Sequence, residues 1–407
     1  MTTISLKTIK RQPWHLVSIG LGIIILAALY PFAKALTAWS DNRNSTQDAL
    51  LVQQPLAANA NSSALPISAI SWETPRSNWL YILDYINDPS SADVSGQVLL
   101  IDPQGQVHGR ITTGFSPEIQ LSPDGKRLYL TSKDFSADML SIIDTATGRV
   151  IQTVRFDGLW TYSIISDHST MAISADGRWL YVEMMRRMVD TIAVFDTTKG
   201  SFLPDELSIL SCVSGVLLPN PANSQLQVLC MGTNDVRLLQ TPQGSTNTLS
   251  LPAVADRRVR VSTGTTSRTG DTYAVFSDGR VVEIDGKTNK IRRQVVAQPL
   301  SAGYIPTRDV TLSPDGTKLY IGRGNLIARS TGEVDQILVT DTSSGRRLKT
   351  IVTGRPFWNL ALSRDGNTLY AISALTRSII LIDTSSYQEV GIIENMGKSP
   401  TRAIAAP

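Results

Sequence analysis

The sequence predicts an all-β fold: a seven-bladed β-propeller of four-stranded antiparallel blades, preceded by one N-terminal hydrophobic helix. Three observations predict it. A turn of the form Ser-Pro-Asp-Gly recurs, ending at Gly125, Gly177, Gly316 and Gly366, with a repeat of about 50 residues that suits a four-stranded blade. The segments between turns are short runs of β-branched and aromatic residues, with no amphipathic helix of convincing length after residue 70. The C-terminal stretch GKSPTRAIAA has the form of GRPFWNLAL, which leads into the last complete module, whereas the first module (residues 78–111) lacks a leading strand. The C-terminal strand is therefore expected to join the first blade, closing the ring and protecting its sheet edges.

One unit justifies the rest. In LSPDGKRLYLTSKDFSADMLSIIDTATGRVIQTV, residues 121–154, Pro123 presets φ, Asp124 bonds its own backbone and Gly125 supplies a positive φ. Arg127-Leu-Tyr-Leu and Ser141-Ile-Ile form strands, and Asp144-Thr-Ala-Thr-Gly148 turns the chain into a third. Three short strands cannot bury their own faces, so the unit needs neighbours. It recurs around Gly105, Gly177, Gly270, Gly316 and Gly366, while the segment from Cys212 to Leu251 keeps the hairpin rhythm without the Ser-Pro-Asp-Gly turn.

The chain has 407 residues, a 42% hydrophobic content and a net charge of +3, enough for a large core and too balanced for bulk nucleic-acid binding. Its N-terminus carries Lys7, Lys10 and Arg11 ahead of an apolar run over residues 16–30. That order directs the remainder across the cytoplasmic membrane, to a periplasmic or other extracytoplasmic location. Pro31 and Ala33-Lys34-Ala35 resemble a cleavage region, and residues 1–35 fit both a cleaved signal peptide and a retained signal anchor. Residues 36–70, rich in Asn, Ser, Ala and Gln, read as a flexible linker, and residues 71–407 as the propeller. The two cysteines, Cys212 and Cys230, flank a predicted hairpin turning near Pro221, which places them opposite each other on the two strands; in an exported chain they are expected to pair.

Catalytic chemistry is not evident. Asp124, Asp176, Asp315 and Asp365 lie in turns, and Asp102, Asp144, Asp196, Asp285, Asp341 and Asp383 follow strands, where carboxylates accept backbone N–H bonds. Asp84, Asp88 and Asp93 match no known cation loop. His15, His108 and His168 stand beside no set of metal ligands in sequence, and no motif supplies a nucleophile with an activating base. The segments leading into the innermost strands are more informative. They bring Phe115, Tyr304, Arg308, Arg355, Phe357, Trp358, Lys398 and Arg402 toward one mouth of the channel. Aromatics interleaved with Arg and Lys form recognition surfaces, and the cations favour an anionic ligand or acidic partner if they converge. The aromatics equally suit a role in capping the blade interfaces.

NDPSSADVSGQVLLID (residues 87–102) and GFSPEIQLSPDG (residues 114–125) resemble the heavy chain of methylamine and aromatic-amine dehydrogenases. The resemblance extends to STMAISADGRWLYV, to the cysteine hairpin and to the closing Gly397-Lys-Ser-Pro segment, so it covers most of the chain from about Tyr81. It implies a periplasmic seven-bladed propeller with no redox centre of its own. The implied partner is a small, disulfide-rich light chain whose tryptophan-derived quinone oxidises the amine and passes electrons to a copper protein or cytochrome. The family's substrate-gate loop corresponds to Asp88, Pro89 and Ala92, with Ala92 where the family carries an aromatic residue. The alternative is a stand-alone propeller of the YVTN type, binding a ligand or protein at the cell surface through the mouth.

Overall fold

The computed structural model describes residues 69–85, 96–133, 138–156, 170–186, 189–209, 212, 215–230, 233–241, 246–252, 259–296, 307–323 and 335–406. The apolar run of the predicted N-terminal helix and nearly all of the predicted linker lie outside them. So do the residues of a separate N-terminal unit, Met1–Ala57.

Seven antiparallel sheets follow one another along the chain. Blade 2 is typical, with strands Phe115–Leu121, Arg127–Lys133, Asp138–Asp144 and Val150–Phe156 in that spatial order. Blade 3 begins at Met171–Ile173, blade 4 at Gly215–Pro219, blade 5 at Val261–Thr266, blade 6 at Thr307–Leu312 and blade 7 at Asn359–Leu362. These six leading strands are the innermost of their sheets. In blade 1 that place belongs to Pro400–Ala405, which pairs antiparallel with Leu80–Asp84. At the other edge of blade 1, Ala69–Trp72 adds a fifth strand against Val107–Thr113. The sheet thus starts two residues before the predicted linker boundary, and this outer strand was not expected from the repeat.

A blade is covered on both faces by its neighbours, so most positions of its second and third strands are buried. Leu80–Asp84 is buried at every position, whereas the outer strand Val150–Phe156 alternates toward solvent. Seven apolar clusters lie between successive blades, one to each interface. In one, Tyr81 and Leu83 of blade 1 meet Ile119 and Leu130 of blade 2. In another, Tyr370 and Ile372 of blade 7 meet Leu80 and Ile82 of blade 1. Full burial of each such side chain contributes about 1.5–3 kcal/mol, so the interfaces hold the blades in register.

The repeat motif also carries a polar tie. Thr145, Thr197, Thr342 and Thr384, each following the third strand of a blade, donate from Oγ1 to the carbonyls of Gly125, Gly177, Gly316 and Gly366 in the turn of the same blade, all at 2.7 Å. A hydroxyl has one donor and two acceptor sites, so it has room for a second partner. Tyrosines of the preceding blades stand close to these hydroxyls, with Tyr81, Tyr129, Tyr273 and Tyr320 beside Thr145, Thr197, Thr342 and Thr384. In blade 4, which lacks the Ser-Pro-Asp-Gly turn, Thr241 still receives the Tyr181 hydroxyl at 2.9 Å. Pro103 stands at the corresponding place in blade 1, which therefore offers Tyr370 of blade 7 no threonine hydroxyl. The seam between blades 7 and 1 is tied differently.

The turn aspartates have the structural role that the sequence predicts. Asp124 Oδ1 accepts from Ser122 Oγ at 2.6 Å and from the Lys126 N–H at 3.0 Å, and Gly125 adopts φ +73°. These bonds hold the Asp124 carboxyl below its ordinary range. Asn220 serves in blade 4, accepting the Ala222 N–H at 2.8 Å and donating to Gly286 of blade 5 at 2.8 Å.

Candidate functional site: the channel and its mouth

The seven innermost strands surround a cavity of about 830 Å³. Every one of them contributes to its wall, from Glu118 and Gln120 in blade 2 to Thr401 and Arg402 in blade 1. A volume of this size suits a small molecule.

Two linked polar pairs stand in the wall. Arg402 Nη1 donates to Glu118 Oε1 at 2.6 Å, and only 6% of the Glu118 side chain is exposed. Burial pushes the Glu118 carboxyl up, and the Arg402 guanidinium opposes that shift. On the adjoining wall, Asp309 Oδ2 accepts from Asn359 Nδ2 at 2.7 Å and from the Leu360 N–H at 2.8 Å. Asn359 Oδ1 accepts in turn from the Ala403 N–H at 3.1 Å. These bonds run from blade 6 through blades 7 and 1 to blade 2, across the seam that lacks the Tyr–Thr tie.

The mouth is braced in two further places. Asp84 at the end of its strand accepts the N–H groups of Lys398 (2.8 Å) and Ser399 (2.5 Å), fixing the loop that enters Pro400–Ala405. Gly397 adopts φ +59°, and a Cβ there would collide with the Asp84 carboxylate. The second brace is the Cys212–Cys230 disulfide. The cysteines are not cross-strand partners as the hairpin reading placed them: Cys230 faces Gly215, and Cys212 lies ahead of the strand. The bridge therefore ties the loop entering blade 4 to the end of that blade's second strand. Glu183 of blade 3 supports the same loop by accepting the Gly215 N–H at 2.8 Å.

The predicted mouth residues separate. Trp358, half-buried, and Arg402 line the cavity. Phe357 does not: it is 1% exposed, packed between blades 6 and 7 over Gly322, because the strand entry turns its ring inward. Arg355 lies outside the cavity wall, pairing with Glu394 at 3.1 Å, and Lys398 is exposed. The basic residues thus do not converge on the channel among the described residues, since Arg402 is matched by Glu118 and Arg355 by Glu394. Phe115 and Arg308 fall at the starts of Phe115–Leu121 and Thr307–Leu312, which gives their backbone positions alone. Asp88, Pro89, Ala92 and Tyr304 lie outside the described residues. Sequence reasoning missed Glu118, Asp309 and Asn359. Their signal was an ionisable or amide residue within an innermost strand. Among the described residues, no three His, Cys, Asp or Glu side chains group as a metal site.

No protein-family model and no curated protein matches the sequence. Solved structures do match in fold. Hydrazine synthase of Kuenenia stuttgartiensis aligns with a TM-score of 0.51 and 17% identity, over 66% of this chain and 76% of that one. Dihydro-heme d1 dehydrogenase NirN aligns with a TM-score of 0.53 and 17% identity, over 79% of this chain and 64% of that one. A protein of unknown function from Desulfotomaculum acetoxidans gives a TM-score of 0.58 at 13% identity, over 79% and 97%. At these identities the likeness establishes the propeller fold and nothing finer.

Proposed function

We propose that this chain is an exported, heavy-chain-like propeller subunit, a non-catalytic scaffold for a quinone-bearing light chain in periplasmic amine oxidation. The observation that carries the reading is the Cys212–Cys230 bridge, which braces a mouth loop in the hairpin where the sequence resembles amine dehydrogenase heavy chains. A scaffold for another protein needs a mouth of fixed shape, because loop ordering on association costs affinity. The bridge, the Asp84 cap and the Glu183 cap all reduce that cost. The quinone on the light chain would supply the oxidising chemistry, and a copper protein or cytochrome would take the electrons. The N-terminal segment would hold the propeller at the membrane if it is not cleaved. Affinity purification of the full chain from its native membrane tests this reading through copurification of a small, quinone-staining subunit.

The cavity favours a second reading, a stand-alone YVTN-type propeller that binds a ligand in its channel. Pre-formed pockets of about 300–1,000 Å³ are the usual size for small-molecule sites. Ligand titration of the purified chain tests it.

A further inference from the structure

We propose that the outer strand Ala69–Trp72 is a pH-sensitive strap, latched to blade 1 by protonated His108 and loosened when that ring becomes neutral. The inference is independent of what the mouth or the channel binds. It assigns the effect of His108 to one segment, the first strand of the propeller in chain order.

The geometry of the latch carries it. His108 Nδ1 lies 3.1 Å from Glu73, the residue that follows the strap, and Nε2 lies 3.0 Å from Asp102 in the turn before Val107–Thr113. Both carboxylates gain a donor only when the ring carries two N–H groups. A neutral ring carries one, so one carboxylate then faces a lone pair. Asp102 is 13% exposed and Glu73 is 60% exposed. The ring therefore keeps its bond to Asp102, while Glu73 turns to water, which is the smaller loss. Glu73 is the partner on the strap side, so the strap is what loses its charged anchor. Arg76 lies over the Trp79 ring that stacks on the imidazole, and Arg110 on the same strand is exposed. No other charged group contacts His108 among the described residues. The bond to Asp102, then Glu73, holds its pKa above the ordinary value against the effect of burial. The latch is thus closed below about pH 6.5 and opens as pH rises through the folded pKa.

The strap has few other holds. Its ladder to Val107–Thr113 is short, with Ala69 opposite Ile111, Trp72 opposite Gly109 and an irregularity between them. The Glu73 N–H donates to the His108 carbonyl at 3.0 Å, and Trp72 Nε1 to the Thr145 carbonyl at 2.7 Å. Ser71, Glu73 and Thr74 are exposed. Opening such a segment costs less than unfolding a blade, whose inner strands are buried.

The test is amide hydrogen exchange of the full chain between about pH 5.5 and about pH 8.5, corrected for intrinsic exchange, beside an NMR titration of His108. The chain has three histidines, so ring-labelled protein resolves His108 and His108→Gln assigns its signal. Protection of the strap amides, that of Glu73 among them, should fall about threefold or more as pH passes the His108 midpoint, while Arg127–Lys133 in blade 2 stays unchanged. The fall should vanish in His108→Gln and shrink in Glu73→Gln, an exposed substitution that spares the fold. Strap protection that does not change through the His108 midpoint overturns the proposal. So does a parallel loss across the blades, or a fall in His108→Gln equal to that of the parent chain. If His108→Gln does not fold, an undiminished fall in Glu73→Gln overturns it.

Discussion

Arg402 Nη1 lies 2.6 Å from Glu118 Oε1, joining the last strand of the chain to the inner strand of blade 2 across 284 residues of sequence. Arg402→Met leaves a buried carboxylate without its counter-ion, which costs about 3–5 kcal/mol near neutral pH. The folded-state pKa of Glu118 is already raised by burial, and losing Arg402 raises it further. A raised carboxyl contributes stability below its unfolded pKa and loses it as pH rises through the folded pKa. The deficit in Arg402→Met should therefore shrink on acidification, and Glu118→Gln/Arg402→Met should recover most of it. Urea denaturation at about pH 5 and about pH 8 measures both effects.

His108 provides a separate pH dependence at the outer edge of blade 1. Its Nε2 is 3.0 Å from Asp102, its Nδ1 is 3.1 Å from Glu73, and Trp79 stacks on the ring at 4.0 Å, with Arg76 over the other ring of that stack. The hydrogen bond to Asp102, followed by Glu73, raises the His108 pKa against the opposing effect of burial. That stability is complete below the unfolded value of about 6.5 and is lost as pH rises through the folded pKa. The loss is smaller than the full one-proton slope, since Glu73 is 60% exposed and screened. His108→Gln should flatten the decline in urea midpoint above about pH 6.5; an unchanged decline contradicts the assignment.

The Tyr181–Thr241 bond links blades 3 and 4 at 2.9 Å. Burial pushes the Tyr181 hydroxyl up to about 12, so it stays neutral at ordinary pH. Tyr181→Phe should cost about 1 kcal/mol, and a double-mutant cycle with Thr241→Val should show a coupling of about 0.5–1.5 kcal/mol. A coupling of zero would mean that the repeated tyrosine serves packing alone.

The Cys212–Cys230 bridge spans 18 residues. A loop of this length contributes about 3 kcal/mol through the unfolded chain. Replacing both cysteines by Ser should lower stability by about 2–4 kcal/mol. Reduction of the native protein under denaturing conditions should reproduce the effect, and denaturation curves with and without reductant compare the two.

Turn chemistry and period made the blades legible, because Asp124 and Gly125 act locally and report their geometry in sequence. The disulfide was legible as a pair but not in its register, since Cys212 lies ahead of its strand and nothing in the sequence marks where pairing begins. Phe357 and Trp358 are adjacent and chemically alike, yet one fills a blade interface and the other lines the cavity. Adjacent side chains take opposite directions, and only the strand register decides which faces the channel. Glu118, Asp309 and Asn359 escaped notice because their partners lie in other blades. The outer strand Ala69–Trp72 escaped for a similar reason: Trp72 docks on blade 2 through Nε1 to the Thr145 carbonyl at 2.7 Å, a contact no repeat encodes.

The scaffold role is tested most directly by purifying the full chain from its native membrane or periplasm, then staining for quinone and assaying amine-dependent dye reduction. The account predicts a small, disulfide-rich subunit that copurifies, stains for quinone and confers amine-dependent reduction. A chain that purifies alone, without stain or activity, would contradict it.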